Sequence, residues 1–511
     1  MATLHTVDYA ILGAYLLITA AVCVRVTRKS PDAEELFLAG RSLGWGVVGL
    51  SLFASNISST TLIGLPGAAW GSGIAVANYE WMAAAVLMFS TFAVVPVFLA
   101  NRITTVPELL ERRFDGRLRK YLSAVTVFLS IFLDTAGSLY AGAIVLMMFI
   151  PGLSLWPTCF AIALFTGLYT AAGGLRAVAY TDVLQSVVLL LGSLILAVIV
   201  FGQFDYSWPA VRAALGEERL SLFRPLDDPE LPWLGTLIGL PILGFYYWTM
   251  NQYVSQRLLG ARDMRHAGWG AALAALLKLA PLFIMVLPGA MAAVLLPDLA
   301  RADEVFPAMI AAYAPVGIAG LIIAGLLAAI MSSIDSALNS ASTLITLDFI
   351  DGEARDSERL ARLGRVIVLL LVGIAALWAP MIDRFPGLFA YLQQGFAYVA
   401  SPLVGTFAVA MLSRRVGGTA ALLGTAAGHL FSAAWFLASL AGWVELHFTI
   451  TAGMLLAVTV LACHLAATFI DEPVNPTGVE AMRRRAAVPR DVKIASASVA
   501  VLTLALVLAF G

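Results

Sequence analysis

The sequence predicts an all-α polytopic membrane protein with about fourteen transmembrane helices. Its 511 residues are 60% hydrophobic and only 12% charged, about half the charged fraction of a soluble globular chain. The mean hydropathy is +0.90. Apolar stretches of bilayer length recur along the chain, and the loops between them are alternately rich and poor in basic residues. These three observations indicate one membrane domain.

A transmembrane helix needs about 20 mostly apolar residues, and fourteen stretches satisfy this. We number them spans 1 to 14 in chain order: 7–26, 43–67, 74–100, 119–150, 153–173, 177–202, 232–257, 267–297, 315–349, 364–383, 386–412, 416–442, 447–470 and 491–510.

The basic residues agree with this count and give an orientation. One set of loops, with flanking span ends, holds 25 of the 31 Lys and Arg residues. These loops are 27–42, 101–118, 174–176, 258–266, 350–363, 413–415 and 471–490. By the positive-inside rule these loops are cytoplasmic, and both termini lie on the outer side of the cell membrane. A miscounted span would have mixed the basic-rich and basic-poor loops.

Span 2 contains a polar stretch that an unbroken membrane helix does not favour. Residues 54–61 read Ala-Ser-Asn-Ile-Ser-Ser-Thr-Thr, and Gly64 and Pro66 follow. Short hydroxyl and amide side chains compete for backbone hydrogen bonds, so we expect the helix to unwind here. In hydrocarbon a freed carbonyl costs several kcal/mol unless protein, water or an ion satisfies it. We therefore predict a broken helix whose carbonyls bind a cation.

Span 7 has a similar interruption at mid-depth, where residues 244–252 read Gly-Phe-Tyr-Tyr-Trp-Thr-Met-Asn-Gln. It lies five spans after span 2, and five-span halves enter the membrane from opposite sides. Interrupted helices at matching positions of two inverted halves indicate a binding site near the bilayer midplane. Span 11 is also interrupted by polar residues and glycine. The sequence thus predicts two repeats of five spans.

Span 9 presents a polar face. Ser332, Asp335, Ser336 and Asn339 follow the i, i+3, i+4, i+7 spacing of one helix face, and Ser333 adjoins it. Hydroxyl and carbonyl oxygens suit a hard monovalent ion, and the soft ligands of a transition metal are missing from this pattern. The alternative is that the serines pack closely or bond back to their own helix.

Several ordered motifs are found together in one transporter family. They read FLAGRSLGWGVVGLSLFASNISSTTLIGLPG (37–67), NYEWMAA (78–84), LYTAAGGLRAVAYTDVLQ (168–185), NQYVSQR (251–257) and AAIMSSIDSALNSAS (328–342). On these motifs the chain resembles the sodium/solute symporter family, and within it the sodium/sugar cotransporter branch. The motifs are specific for the family and less so for the substrate.

The resemblance implies a LeuT-type five-plus-five inverted repeat, with one extra N-terminal and three extra C-terminal helices. The implied segments are an extra helix and cytoplasmic loop (1–42), the first repeat (43–203), an external loop (204–231), the second repeat (232–412) and the three extra helices (413–511). Both termini are outside in this family, as the loop charges also indicate.

The resemblance also implies a sodium site. It places one co-transported sodium ion between the carbonyls of Ala54, Ile57 and Ala329 and the hydroxyls of Ser332 and Ser333.

Asp182 and Asp335 are intramembrane acids, which are costly and indicate a function by default. In some family members a second sodium is held by the aspartate at the Asp182 position and by hydroxyls at the positions of Ser332, Asp335 and Ser336. Here Asp335 is an acid, which could strengthen that site, add a protonatable group or line the sodium exit path. The alternative for Asp182 is a surface acid that snorkels from the cytoplasmic end of span 6.

A sugar site needs polar groups for hydroxyls and an aromatic face in an otherwise apolar pocket. The resemblance maps the hydroxyl ligands onto Glu80, Asn251, Lys278 and Gln393. It maps the inner gate onto Tyr253 and the outer gate onto Leu65, Tyr79 and Phe389. The alternatives are a structural Glu80–Lys278 ion pair, interhelical hydrogen bonds for the two amides, and core packing for the rings.

Two further residues bear on the substrate. The side chain of Thr61 is shorter than that of the polar residue that sugar transporters of this branch often carry at this position. The shorter side chain leaves room for a bulkier or differently hydroxylated solute. Asp134, in span 4, could reach the pocket or pair with Lys278, and the sequence does not choose between these.

The preferred hypothesis is a sodium-coupled secondary symporter that imports a neutral sugar or polyol by alternating access. The alternatives are a sodium symporter for another small solute, such as an amino acid, a carboxylate or sialic acid, and a membrane sensor on the same scaffold. A sensor would usually append a signalling domain, whereas this chain ends just after span 14. An enzyme is disfavoured because no nucleophile–base pair or metal cluster is apparent, and a nucleic-acid partner because no basic stripe is present.

Overall fold

The computed structural model describes residues 4–26, 37–57, 59–350, 357–385 and 388–511, and within them the chain is built from helices joined by short connections. The helices that fall in the predicted spans are Thr6–Val26, Trp45–Asn56 with Ser59–Ser72, Ala77–Ala93 with Val95–Ala100, Gly116–Leu129 with Ala136–Phe149, Leu155–Gly202, Trp233–Phe245 with Gln252–Leu259, Met264–Leu277 with Leu287–Leu295, Ile318–Leu344, Ser357–Trp378, Leu388–Leu412, Gly418–Leu440, Phe448–Phe469 and Arg490–Phe510. Shorter helices, Val106–Arg113, Trp208–Arg219, Val305–Tyr313 and Pro476–Arg483, lie in the connections.

The helices are long and apolar enough for a polytopic membrane protein. Ten segments within the described residues satisfy length and hydropathy criteria for crossing a membrane, and the bent helix pair of span 2 is an eleventh. Two further apolar helices, Thr6–Val22 and Leu155–Leu168, are shorter. The all-α class is confirmed, and the count of fourteen spans stays a prediction.

The basic-rich loops contact one another at one end of the helices. Asn101 Nδ2 donates to the carbonyl of Ala481 at 2.9 Å, and Arg113 Nη2 donates to the carbonyl of Ser413 at 2.8 Å. These contacts join three loops that the charge distribution assigns to the same side.

Both ends of the chain contact residues in or next to the basic-poor loops. The amide of Leu222 donates to the carbonyl of Phe510 at 3.0 Å, and the amide of Gly317 donates to Asp8 Oδ1 at 2.8 Å. Trp70, just beyond span 2, donates to the carbonyl of Leu296 at the end of span 8 and accepts from Arg219 in the loop 204–231. The termini therefore share one end of the helix bundle, while their external location remains a prediction from the positive-inside rule.

Span 2 is broken where the sequence predicts it. The helix Trp45–Asn56 ends at Ile57, which leaves helical conformation with φ −74° and ψ 75°, and the second half runs at 54° to the first. Thr61 Oγ1 donates to the carbonyl of Asn56 at 3.0 Å, so the second half supplies a donor to the end of the first. Ser58, at the break itself, lies outside the described residues.

Span 7 is also broken at the predicted place. Trp233–Phe245 passes into a π-helical turn, Tyr246–Met250, and Asn251 is extended with φ −64° and ψ 122°. A new helix, Gln252–Leu259, then begins, and Asn251 caps it by accepting the Tyr253 amide on its side-chain oxygen at 3.3 Å. The polar interruption thus starts a new helix, as in span 2.

Span 11 differs from this pattern, because its helix Leu388–Leu412 continues through Pro402. Proline has no amide hydrogen, so the carbonyl of Tyr398, four residues earlier, loses its helical partner. Ser432 Oγ, from span 12, donates to that carbonyl at 2.6 Å. A neighbouring helix therefore satisfies the freed group, and the helix does not break.

The loop predicted at 174–176 is helical in the structure. Helical hydrogen bonding runs through the whole of Leu155–Gly202. No proline lies between residues 157 and 209, so no backbone donor is removed there. A straight helix of this length would be about 72 Å long, more than twice the hydrocarbon thickness. Our prediction for this segment therefore remains two membrane crossings, spans 5 and 6.

The Ser432–Tyr398 contact makes a prediction about stability. Ser432→Ala leaves a buried carbonyl unsatisfied, which should cost about 1–3 kcal/mol and lower the unfolding temperature of the purified protein. In a Pro402→Ala background the helix regains its own donor, so Ser432→Ala should cost clearly less. An equal decrease in unfolding temperature in both backgrounds would contradict this explanation of the unbroken helix.

Candidate functional site

A cavity lies between the two broken helices and is closed by spans 3, 4, 9 and 11. Its empty volume is about 980 Å³, including the part open to solvent. Seven of the nine predicted substrate and gate residues line it: Thr61, Leu65, Tyr79, Glu80, Tyr253, Phe389 and Gln393. The other two, Asn251 and Lys278, are buried behind its wall.

Glu80 and Lys278 form an ion pair in this wall. Lys278 is fully buried, and its Nζ donates to Glu80 Oε2. The same ammonium lies 5.3 Å from the centre of the Trp248 ring, a cation–π distance. The structural ion pair considered from the sequence is therefore present. Glu80 still faces the cavity, whereas Lys278 reaches the cavity only through its partner.

Asp134 lies in the cavity wall and is not paired with Lys278. It belongs to a π-helical turn, Ser130–Thr135, that the sequence did not predict. Its carboxyl group is close to the amide of the fully buried Asn251. Neither Asp134 Oδ2 nor Asn251 Nδ2 has a hydrogen-bond partner among the described residues. The carboxyl group of Asp134 is thus left available to a ligand in the cavity.

Aromatic side chains close the cavity at two levels. Tyr79 and Phe389 meet edge to face with centroids 5.3 Å apart, on the side of the termini. Towards the basic-rich loops, Tyr253 donates a hydrogen bond to the Tyr247 hydroxyl, and Phe396 packs on Tyr247 at 6.0 Å. Sequence reasoning missed Tyr247 and Phe396, although Tyr247 lies within the motif that marks the break of span 7.

The serine face of span 9 meets the end of the first half of span 2. Ser55 Oγ lies 3.2 Å from Ser336 Oγ. Ser333 lines the cavity, and its hydroxyl donates to the carbonyl of Ala329 at 2.9 Å, a bond back to its own helix. Ser332 Oγ donates to Asp182 Oδ1 at 2.5 Å. The serine face of span 9 therefore lies against the end of the first half of span 2, beside the cavity.

Beneath these serines lies a fully buried Asp182–Arg257 pair. Arg257 Nη2 donates to Asp182 Oδ2 at 3.0 Å and also to Ser336 Oγ. Ser51 Oγ donates to the same carboxylate oxygen at 2.6 Å and accepts from Arg257 Nε at 2.7 Å. Every charge and hydroxyl in this group is matched, as burial requires.

This pair corrects two sequence-based interpretations. Asp182 has no exposed surface, so the snorkelling surface acid is wrong. Arg257 was counted among the basic residues of the cytoplasmic loops, but it too is fully buried, because Asp182 supplies its counter-charge. A local sequence pattern could not find this, since the partners are 75 residues apart.

The fold is shared with solved transporter structures. A Na+-coupled sialic acid symporter in a substrate-bound outward-open state superposes with a TM-score of 0.82, at 23% identity over 92% of this chain and 99% of that one. Mhp1, a nucleobase-cation-symport-1 family transporter, gives 0.59 at 15% identity, over 89% of this chain and 99% of that one. These neighbours have the LeuT-type fold, and the predicted fold class is confirmed.

Sequence comparison gives the relationship. The chain is 35% identical over 470 residues to sodium/myo-inositol cotransporter 2 of Oryctolagus cuniculus, covering 83% of this chain and 68% of the relative. It is 34% identical over 467 residues to a sodium/mannose cotransporter of Bos taurus, covering 83% and 78%. The model of the family described as "Sodium:solute symporter family" matches residues 36–428. The chain belongs to the sodium:solute symporter family.

Proposed function

We propose that this chain is a sodium-coupled symporter that imports a sugar or polyol by alternating access. The observation that carries the proposal is the position of Ser333, which lines the cavity and also belongs to the serine face that meets the broken span 2. An ion on this face and a solute in the cavity would share one wall. Binding of one would then favour binding of the other, which is the requirement for coupled transport.

The solute class follows from the cavity and the relatives. Carboxylate and amide groups from Glu80 and Gln393 face a space otherwise bounded by aromatic and aliphatic side chains, a pattern suited to a small hydroxylated ring. The relatives named above are cotransporters of myo-inositol and mannose. Thr61, with its short side chain, also faces this space. We propose Thr61, Glu80, Asn251, Lys278 and Gln393 as the substrate-binding set, with Lys278 acting through Glu80.

For the ion we propose Ala54, Ile57, Ala329, Ser332 and Ser333 as sodium ligands. All five offer oxygen, the ligand type that a hard cation prefers. Each serine hydroxyl already donates its hydrogen to another oxygen, which leaves the lone pairs of Oγ to face a cation. Carbonyls at an unwound helix end are the usual partners of sodium in broken membrane helices.

Asp182, Asp335 and Ser336 lie on the inner side of this site. Arg257 holds Asp182 and Ser336, so a second sodium here would have to share these groups with a guanidinium. We propose this group as the lining of the sodium exit path, with Arg257 as its resident cation.

Alternating access needs a closure on each side of the solute. We propose Leu65, Tyr79 and Phe389 as the outer gate and Tyr253, now with Tyr247, as the inner gate. In this scheme 43–203 and 232–412 are the two inverted repeats, and both termini face the outside of the plasma membrane. Segment 204–231 is the external loop, and 1–42 and 413–511 flank the core.

The first test is uptake into proteoliposomes. A labelled panel of sugars and polyols is offered with an imposed inward gradient of sodium, potassium or protons at matched ionic strength. We expect accumulation with sodium only. The proposed ligands are uncharged oxygens rather than titrating groups, which disfavours protons, and the relatives named above are sodium cotransporters. Uptake that is indifferent to sodium would overturn the coupling.

The second prediction concerns the ion site. Ser332→Ala and Ser333→Ala each remove one proposed ligand, so each should raise the sodium concentration for half-maximal uptake by about tenfold, the effect of one lost interaction of 1.4 kcal/mol. Ser340→Ala, a buried serine on the same helix, is the matched control and should leave this concentration within a factor of two. Unchanged sodium activation in both variants would remove these serines from the site.

The third prediction concerns the solute. Gln393→Ala should raise the KM for every transported sugar by about tenfold while the sodium dependence stays near that of the parent protein. Gln203→Ala, which removes an exposed amide, is the control. An unaltered KM for all sugars would contradict the placement of Gln393 in the binding site.

A further inference from the structure

Acidic side chains lie at the centre of the protein, in the cavity wall and in the network beneath the serines. Those of the wall are Glu80 and Asp134, and those of the network are Asp182 and Asp335. Buried charge is costly unless opposite charge is close by. The partners of each acid therefore decide what charge a solute in the cavity would meet.

Asp134 is an acid of the cavity wall without a counter-charge among the described residues. Glu80 is held by Lys278, and Asp182 by Arg257. Asp335 accepts a hydrogen bond from Ser336, within the network beside the proposed ion. Asp134 instead faces the cavity, forms no ion pair among the described residues, and has Oδ2 without a hydrogen-bond partner. Its polar neighbour is the uncharged amide of Asn251.

We propose that Asp134 is the specificity-determining residue of the cavity and that its carboxylate binds a protonated amino group of the solute. The preferred substrates are then sugars or cyclitols that carry one amino substituent, and their neutral parents are carried with weaker affinity. This inference rests on the proposed sodium-coupled uptake of sugars or polyols and names the substrate class within it.

The chemistry of the site favours an amine over a further hydroxyl. When both gates close, water leaves the cavity and the carboxylate loses its solvation. A hydroxyl would supply one neutral hydrogen bond, whereas an ammonium supplies a charge-assisted bond and cancels the charge. The ring hydroxyls of the same solute remain available to Glu80 and Gln393. A solute with one positive charge and a hydroxylated ring matches all three side chains.

The experiment is competition for sodium-driven uptake of a labelled neutral polyol into proteoliposomes at neutral pH and saturating sodium. The competitors are glucose, its derivatives with an amino group at position 2, 3 or 6, and N-acetylglucosamine as an uncharged control of larger size. The same comparison is made between myo-inositol and its monoamino derivatives. We expect the best amino derivative of a series to compete at a concentration about tenfold lower than its parent.

Variants assign the preference to a residue. Asp134→Asn keeps the shape and removes the charge, so the ratio between parent and amino derivative should fall to within about twofold. Asp134→Glu should keep the preference. Asp227→Asn removes an exposed acid from the external loop and should behave as the parent protein. If Asp134→Asn does not transport, the same ratio is measured as ligand-induced thermal stabilisation of the purified variant.

Two results would overturn the proposal. If no amino derivative in either series competes better than its parent, Asp134 binds hydroxyls or is balanced by a second sodium. A preference that persists in Asp134→Asn would place the recognising group elsewhere. In both cases the proposed sodium-coupled uptake would still be supported if uptake of the neutral polyol depends on sodium. If that uptake does not depend on sodium, the proposed function itself is wrong.

Discussion

The structure depends on one constraint, that a carbonyl freed inside a bilayer needs a new partner. The chain meets it in two ways. In span 11, Pro402 frees the carbonyl of Tyr398, and Ser432 from the next helix supplies the donor, so the helix continues. In span 2 the helix ends at Ile57, and one of the carbonyls there is satisfied by Thr61. Carbonyls at such a helix end are suited to a cation, and the serine face of span 9 lies against this end of span 2.

Paired charges organise the rest of the centre. Lys278 holds Glu80 in the cavity wall, and Arg257 holds Asp182 beneath the serines. Loss of one partner from such a buried pair costs about 3–5 kcal/mol, because it leaves a charge without compensation. The two pairs therefore fix the positions of the groups that would meet solute and ion. Asp134, in the cavity wall, has no such partner among the described residues, and we propose that a transported solute supplies it.

The sequence predicted the fold class and the breaks in spans 2 and 7, and seven of the nine substrate and gate residues that it proposed do line the cavity. These features follow from local hydrogen-bonding or from ordered motifs. It did not predict the burial of Arg257, whose counter-charge Asp182 is distant in sequence. It also missed the π-helical turn of Asp134, in which Thr135 Oγ1 donates to the carbonyl of Ser130 at 2.7 Å. The unbroken span 11 depends on Ser432 in another helix. Contacts between different spans were therefore not predictable from local patterns, and the π-helical turn is a feature within one span that was also missed.

The central claim is that the broken end of span 2 and the serine face of span 9 bind sodium together. The most direct measurement is a high-resolution structure of the protein in a lipid environment, determined once in saturating sodium and once with sodium replaced by potassium. The account predicts ion density in sodium only, at coordination distance from the carbonyls of Ala54, Ile57 and Ala329 and from the hydroxyls of Ser332 and Ser333. Sodium density elsewhere, with none between these oxygens, would contradict it.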